Sequence, residues 1–213
     1  EACLVGSEMC IRDSNRGNYF LQQKQTQKAL SDFNKAIAIQ PNFQLPYINR
    51  GNIYFRKNEN EKALADYAKA LQFDTKNEEA YCNRGGIYVR QKKYDLAKQD
   101  FQKAIELAPL YADPYYNRGV MHSQQQKFAE AIKDYTKYLS LKPNNVQALN
   151  WRGIAHFNLK QPEKAIVDFT KAIDLEPKNG EYYFNRSVAY RSLDKTVAAE
   201  KDLAKAKELG YKR

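Results

Sequence analysis

The chain has 213 residues, with 35 Lys and Arg against 25 Asp and Glu, so its formal net charge is +10 at pH 7. A content of 43% apolar and 28% charged residues, with only 9 Gly and 7 Pro, is typical of an ordered globular protein rich in helix. The sequence has no apolar stretch of about 18 residues, which excludes a membrane-spanning helix within it. Cys3, Cys10 and Cys82 are too few and too scattered for a disulfide framework or a zinc site.

A repeat with a period of 34 residues runs along the chain. Its clearest mark is the tripeptide Asn-Arg-Gly, which becomes Trp-Arg-Gly in the fifth copy and Asn-Arg-Ser in the sixth. The copies begin at Asn15, Asn49, Asn83, Asn117, Trp151 and Asn185. The sequence therefore predicts one six-repeat domain over residues 10–213, with units 10–43, 44–77, 78–111, 112–145, 146–179 and 180–213.

The first fourteen residues depart from this pattern. Asp13 stands where later units have an aromatic residue such as Tyr47 or Tyr81. Residues 4–13 can be back-translated into a string that resembles the end of a transposase-type sequencing-library adapter. We therefore expect residues 1–14 to be translated adapter rather than native protein; a divergent native N-terminus is the alternative.

The adapter hypothesis changes two properties of the chain. Without residues 1–14, which hold three acidic residues and Arg12, the net charge rises from +10 to +12 and Cys82 is the only native thiol. The native chain would then be truncated at its N-terminus, leaving open whether a signal peptide, further repeats or a catalytic domain stood upstream.

Each unit predicts two short helices, as the second unit illustrates. Its first helix is predicted to begin at Pro46 and to bury Tyr47, Gly51 and Tyr54, and residues 57–60 are predicted to form the turn. Its second helix has a stripe of small and apolar residues at i, i+4, i+7 and i+8. The stripe consists of Ala63, Tyr67, Ala70 and Leu71. A proline after the second helix ends most units, at Pro41, Pro109, Pro143 and Pro177.

With this period and these residues, the chain resembles the tetratricopeptide repeat family over residues 10–213. The resemblance implies an all-α fold, namely a right-handed superhelical solenoid of helix-turn-helix tetratricopeptide repeats whose first helices line a concave groove. In the last unit, Glu200 and Lys207 replace the apolar Ile166 and Ile173, so we expect that unit to resemble a terminal cap.

Three periodic charged columns have a structural interpretation. An Arg in the first helix of every unit is followed 16 residues later by an Asp in the second helix, from Arg16 and Asp32 to Arg186 and Asp202. We expect these residues to form a ladder of ion pairs, with the Arg stems packed on apolar surface. A Lys column on the second helices, which includes Lys69, is expected to face solvent.

The resemblance also indicates candidate groove residues. The Asn that precedes each Arg is expected to face the groove and to bond the backbone of a bound peptide; bonding between neighbouring helices is the alternative. In this column the candidates are Asn49, Asn83, Asn117, Trp151 and Asn185. Helical spacing adds Asn52, Phe55, Arg56, Arg90, Tyr116, Ile154, Phe157 and Phe184. Trp151, Ile154, Phe157, Tyr116 and Phe184 are predicted to form an apolar patch for a partner, with packing as the alternative for some of them.

These residues predict a non-catalytic protein–protein interaction scaffold that binds a peptide or partner segment in the groove. His122 and His156 take the place of core tyrosines, and the sequence has no metal-ligand spacing, phosphate-binding loop or nucleophile motif, so we expect no enzyme activity, no cofactor and no metal.

Three alternatives remain open. They are a co-chaperone-like adaptor, a basic module that binds RNA or an anionic surface, and the repeat portion of a larger enzyme. Acidic residues such as Glu79 at the expected clamp positions disfavour the first, and interleaved charges disfavour nucleic acid. We favour a cytoplasmic location; the partner and the oligomeric state are not specified by the sequence.

Overall fold

The computed structural model describes the backbone of residues 2–212 and the side chains of residues 8–212. Glu1 and the side chain of Cys3 lie outside the described residues. Over residues 2–212 all regular elements are α-helices, which confirms the all-α fold. These helices form two compact units, residues 1–109 and 110–213. None of the described helices is long and apolar enough to cross a membrane.

In the first unit, consecutive helices pack as the pairs α1–α2, α3–α4 and α5–α6, and α2–α3 and α4–α5 join the pairs. The helices are α1 (Ala2–Gln22), α2 (Thr26–Ile39), α3 (Gln44–Arg56), α4 (Asn60–Phe73), α5 (Glu78–Arg90) and α6 (Tyr94–Leu107). The second unit repeats the scheme with the pairs α7–α8, α9–α10 and α11–α12. Its helices are α7 (Asp113–Gln124), α8 (Phe128–Leu141), α9 (Val146–Asn158), α10 (Pro162–Leu175), α11 (Gly180–Arg191) and α12 (Thr196–Glu208).

The predicted stripe of small and apolar residues forms the buried face of the second helices. In α4 all four predicted stripe residues are buried. Four of the second helices end two residues before a proline, because proline cannot continue a helix. One of them is α2, which is followed by Pro41. The predicted helix ends needed small corrections: α3 begins at Gln44 rather than Pro46, and Asn60 belongs to α4 rather than to the turn.

Close packing of an aromatic ring on a glycine holds five of the six helix pairs together. A Cβ added to the glycine of the tripeptide would lie 2.6–2.9 Å from a ring carbon of the second helix, so only glycine fits. The pairs are Gly17–Phe33, Gly51–Tyr67, Gly85–Phe101, Gly119–Tyr135 and Gly153–Phe169. The sixth unit has Ser187 at the glycine position and Leu203 at the ring position.

The predicted ladder of ion pairs is confirmed in all six units. In each pair the Arg Nε and Nη2 donate to the two carboxylate oxygens of a buried Asp at 2.6–2.9 Å. The pairs are Arg16–Asp32, Arg50–Asp66, Arg84–Asp100, Arg118–Asp134, Arg152–Asp168 and Arg186–Asp202. This bidentate geometry links the first helix of every repeat to its second helix by two charge-assisted hydrogen bonds.

Two predictions concern the ends of the chain, namely the origin of residues 1–14 and the capping role of the last repeat. Helix α1 spans most of the segment that we expect to be translated adapter, and Cys10 and Asp13 are buried in it. The origin of that segment is a property of the encoding DNA and stays a prediction. At the other end, Glu200 and Lys207 are exposed on α12, and the capping role of the last unit also stays a prediction.

Candidate functional site

In the compact unit of residues 1–109, the side chain of Asn52 is hydrogen-bonded to three neighbouring side chains. Its Nδ2 donates to Glu79 Oε1 at 2.8 Å, and its Oδ1 accepts from Tyr67 Oη at 2.7 Å and from Asn83 Nδ2 at 2.8 Å. Asn83 therefore bonds α5 to α3, which is the alternative considered for the Asn column. Asn49, on α3, is half-buried.

The aromatic candidate of the first unit is covered by an arginine. The guanidinium carbon of Arg90 lies 4.1 Å from the centroid of the Phe55 ring, and Arg90 Nη1 donates to Asn58 Oδ1 at 3.1 Å. The same ring lies over Gly86, where an added Cβ would be 3.9 Å from Phe55 Cζ. Arg56 is exposed. The candidates of residues 1–109 thus form a mainly polar surface, in which the Phe55 ring is shielded from solvent on one side.

In the second unit, a cavity of about 330 Å³ opens between α7 and α9. Its lining residues are Val120, Ser123, Gln124, Phe128, Tyr135, Trp151, Ile154 and Ala155. Trp151 is 42% exposed although it is one of the largest apolar side chains in the protein. The buried Tyr135 hydroxyl lies 3.2 Å from Ser123 Oγ, and burial raises the pKa of Tyr135, so this phenol stays protonated. Apart from Gln124 and this pair of hydroxyl groups, the side chains that line the cavity are apolar.

A second cavity of about 230 Å³ lies between α9 and α11. Its lining residues are Ile154, Phe157, Phe169, Phe184, Asn185 and Val188. Ile154 lines both cavities, so the two sites are contiguous along the first helices of this unit. They bring together four of the five residues predicted to form an apolar patch.

Tyr116 and Asn117 line neither of these cavities. The ring of Tyr116 packs against Tyr138 and Tyr135 at centroid distances of 5.1 and 5.9 Å. Burial raises the pKa of Tyr116 against the opposing effect of a hydrogen bond with Trp151. Tyr116 therefore packs on two tyrosine rings and is hydrogen-bonded to Trp151, which favours packing as its role.

In the compact unit of residues 110–213, Asn150 makes the same kind of hydrogen bonds between helices as Asn52 makes in residues 1–109. Its Nδ2 donates to Glu181 Oε1 at 3.1 Å, and its Oδ1 accepts from Asn185 Nδ2 at 2.8 Å. In both units, one amide thus joins the first helices of successive repeats and uses one donor of the Asn column. The bridging amide comes from different repeat positions in the two cases, so the 34-residue period alone could not have identified it.

Each of the two histidines lies beside a polar side chain of its own repeat. His122 Nδ1 lies 3.1 Å from Asp134 Oδ2, and His156 Nδ1 lies 3.0 Å from Gln161 Oε1. Burial lowers the pKa of His156, which favours its neutral form. Among the described side chains, no group of three or more His, Cys, Asp or Glu residues could hold a metal ion.

Sequence comparison decides the family. The profile described as Tetratricopeptide repeat matches residues 14–43, 78–111, 112–145 and 146–179, and the profile described as TPR repeat matches residues 51–92. The chain belongs to the tetratricopeptide repeat family. That membership makes it, in general terms, a protein-interaction scaffold of a family that is typically non-catalytic.

Solved structures of other tetratricopeptide repeat proteins share the fold. YrrB, described as a TPR protein with an unusual peptide-binding site, is 28% identical with a TM-score of 0.73, and the match covers 83% of this chain and 91% of YrrB. MamA is 25% identical with a TM-score of 0.69, covering 82% of this chain and 96% of MamA. PilF from Pseudomonas aeruginosa is 21% identical with a TM-score of 0.82, and the match covers 96% of this chain and 93% of PilF. At this identity the similarity supports the fold alone. No curated protein sequence matched the chain.

Proposed function

We propose that this tetratricopeptide repeat protein is a non-catalytic scaffold that holds an extended peptide, or an extended segment of a partner protein, in the groove formed by its first helices. The observation that carries the proposal is the pair of contiguous apolar cavities along α7, α9 and α11, which meet at Ile154. A peptide that fills them would bury apolar surface that water now contacts.

The exposed tryptophan supports a binding role for this surface. Aromatic residues at the centre of an interface often account for most of the binding free energy, and the loss of one such contact typically costs about 2 kcal/mol or more. Trp151 is half-exposed and lines a cavity, and its side chain is hydrogen-bonded to Tyr116. A side chain held in this way loses little conformational entropy when a partner covers it.

The Asn column supplies polar contacts in the proposed complex. An Asn amide has two N–H donors and one carbonyl acceptor. Asn83 and Asn185 each donate to a neighbouring helix, and Asn83 is also hydrogen-bonded to Tyr67. In Asn185, the second donor and the carbonyl would pair with the backbone of a bound segment, and we expect the same of the Asn49 amide. Asn52, Phe55, Arg56 and Arg90 would form a separate polar contact surface on the compact unit of residues 1–109.

The relative YrrB supports the same proposal, because it is described as having a peptide-binding site. In this chain we propose the two cavities as the location of such a role. The co-chaperone alternative is weaker, because the acidic Glu79 and Glu181 are hydrogen-bonded to Asn side chains at the positions where a clamp would need basic residues.

A library selection tests the proposal directly. Random peptides displayed on phage would be selected on the purified chain and then titrated while the emission of Trp151, the only tryptophan, is recorded. We expect selected peptides to shift this emission to shorter wavelength, because they remove water from the indole. The substitution Ile154→Asp should abolish binding, whereas Val197→Asp, on an 83% exposed residue of α12, should leave it unchanged.

Two results would overturn the proposal. One is the failure of the selection to enrich any peptide that responds to Ile154→Asp. The other is retention of a generic RNA, lost when Lys69, Lys103 and Lys137 are changed to Glu, because this would favour the basic-module alternative.

A further inference from the structure

We infer that the groove of residues 110–213 selects a segment in which an aromatic and a branched aliphatic side chain stand three residues apart, between acidic residues. The inference rests on the proposed function and names the chemistry of the partner. It follows from the spacing, the size, the polarity and the charged surroundings of the two cavities.

The two cavities are the same site repeated once. Five lining residues of the first cavity recur in the second at the 34-residue period. The equivalent pairs are Val120–Ile154, Ser123–Phe157, Tyr135–Phe169, Trp151–Asn185 and Ile154–Val188. The cavities are therefore separated by about one spacing between neighbouring helices, which is about 8–10 Å.

That separation matches one backbone conformation of a bound peptide. A polyproline II segment rises about 3.1 Å per residue and has three residues per turn, so side chains at i and i+3 point the same way about 9 Å apart. In a β-strand, by contrast, residues i and i+3 point to opposite faces. The repeated cavity therefore favours an i, i+3 pair on a polyproline II segment.

The differences between the cavities decide which side chain each one takes. The first cavity has the small Ser123 where the second has Phe157, and it is larger by about 100 Å³. It also contains the Ser123 and Tyr135 hydroxyl groups, whereas Phe157 and Phe169 stand at these places in the second. A tyrosine therefore fits the first cavity, with its hydroxyl group near the Ser123–Tyr135 pair. The second fits leucine or isoleucine.

Three exposed cations lie close in sequence to the lining residues of the two cavities. Lys127 adjoins Phe128 of the first cavity, and Lys160 and Arg191 each lie three residues after a lining residue of the second. All three are exposed, and none makes an ion pair with a described residue. The acidic groups near the helix starts are already occupied, since Asp113 pairs with Lys142 at 2.8 Å and Glu181 accepts from Asn150. Acidic flanks on the partner would complement this charge.

In the compact unit of residues 1–109, the residues equivalent to the cavity linings contact one another. At the same repeat positions, Asn52 bonds to Asn83, and the Phe55 ring lies over Gly86 beneath Arg90. The side chains that would have to receive apolar anchors are thus already paired with each other. This difference places the predicted selectivity in residues 110–213.

Synthetic peptides test the inference on the full chain. The parent probe is acetyl-Asp-Glu-Tyr-Ser-Ser-Leu-Asp-Glu-amide, and its relatives have one or three serines between the Tyr and Leu, or lysines in place of all acids. Affinity would be measured from Trp151 emission, excited where tyrosine does not absorb. We expect the altered spacings to weaken binding about tenfold, because one anchor is lost, and the lysine flanks to weaken it about fivefold at low salt.

Protein variants assign each anchor to its cavity. The change Ser123→Phe copies the residue of the second cavity and should weaken the parent peptide about tenfold, while a peptide with Leu at both anchor positions loses little. The repeat already accepts Phe at this position in Phe55 and Phe157, so the variant is expected to fold. Arg191→Glu should weaken acidic peptides several-fold, whereas Lys171→Glu on the exposed face of α10 should not.

The outcomes separate this inference from the proposed function. If peptides bind and shift Trp151 emission with no preference for the three-residue spacing or the acidic flanks, the inference is wrong and the scaffold proposal stands. If neither the probes nor any library peptide alters Trp151 emission, both fail. An unchanged affinity of the parent peptide for the Ser123→Phe variant would overturn the assignment of tyrosine to the first cavity.

Discussion

Two adjacent glycines of α5 provide a matched test of the packing that positions the groove. A Cβ on Gly85 would lie 2.7 Å from Cε1 and 3.0 Å from Cδ1 of the buried Phe101 ring, while a Cβ on Gly86 would have nothing nearer than Phe55 Cζ at 3.9 Å. Both changes to Ala lower the conformational entropy of the unfolded chain and favour the helix by about 1 kcal/mol. Only Gly85→Ala must displace a buried ring.

The magnitude follows from this comparison. Overpacking by one methyl group in a well-packed core costs about 1–3 kcal/mol. We therefore expect Gly86→Ala to raise the free energy of unfolding by up to about 1 kcal/mol. The Gly85→Ala variant should be less stable than the Gly86→Ala variant by about 1–3 kcal/mol, since the helix contribution is common to both.

Urea unfolding followed by circular dichroism would measure the difference from the transition midpoints, provided that the slopes agree. A double-mutant cycle adds a control. In a Phe101→Leu background the Gly85→Ala change should cost little, because the sixth unit naturally combines a larger residue, Ser187, with Leu203. Equal stability of the Gly85→Ala and Gly86→Ala variants would refute the view that the ring requires glycine.

Three further predictions concern the compact unit of residues 110–213. Asp168→Asn should lower the free energy of unfolding by about 1–3 kcal/mol, measured by urea unfolding, because the charged bidentate bond to Arg152 is lost; no change would contradict a structural role for the pair. Burial lowers the pKa of His156 in the folded state, so the unfolded chain binds the proton first as the pH decreases below about 6.5. The free energy of unfolding should therefore fall below that pH, and His156→Tyr should reduce this loss in thermal scans. Tyr211→Ala should destabilise this unit by about 1 kcal/mol, because its ring packs on Phe184 at 5.0 Å; an unchanged melting temperature would argue against this contact.

The features that repeat could be predicted from the sequence. Period, helix pairing and the Arg–Asp ladder depend on residues that recur in every unit, so each copy supports the same interpretation. The shape of the groove depends instead on differences between the individual 34-residue repeats. Ser123 in place of Phe157 changes the size of a cavity, and Gly86 in place of Ile154 lets Phe55 pack where the second unit has a cavity.

For the Asn column, the sequence left bonding between neighbouring helices as one of two alternatives, and it did not identify the partner amide. The amide that binds the Asn column comes from Asn52 in one unit and from Asn150 in the other, at different positions of the repeat. Only the relative placement of two first helices decides which amide reaches the next Asn. For the same reason, the sequence indicated Tyr135 as a core ring but not as the source of a hydroxyl group in a cavity.

Methyl NMR of the complex with the parent peptide tests the central claim most directly. We predict that bound peptide shifts the methyl signals of Val120, Ile154 and Val188, with transferred contacts from its Leu to Ile154 and Val188, while Val167 and Val197 on exposed parts of α10 and α12 stay unchanged. Shifts confined to Val167 and Val197, with unperturbed signals at Val120, Ile154 and Val188, would contradict binding in the groove.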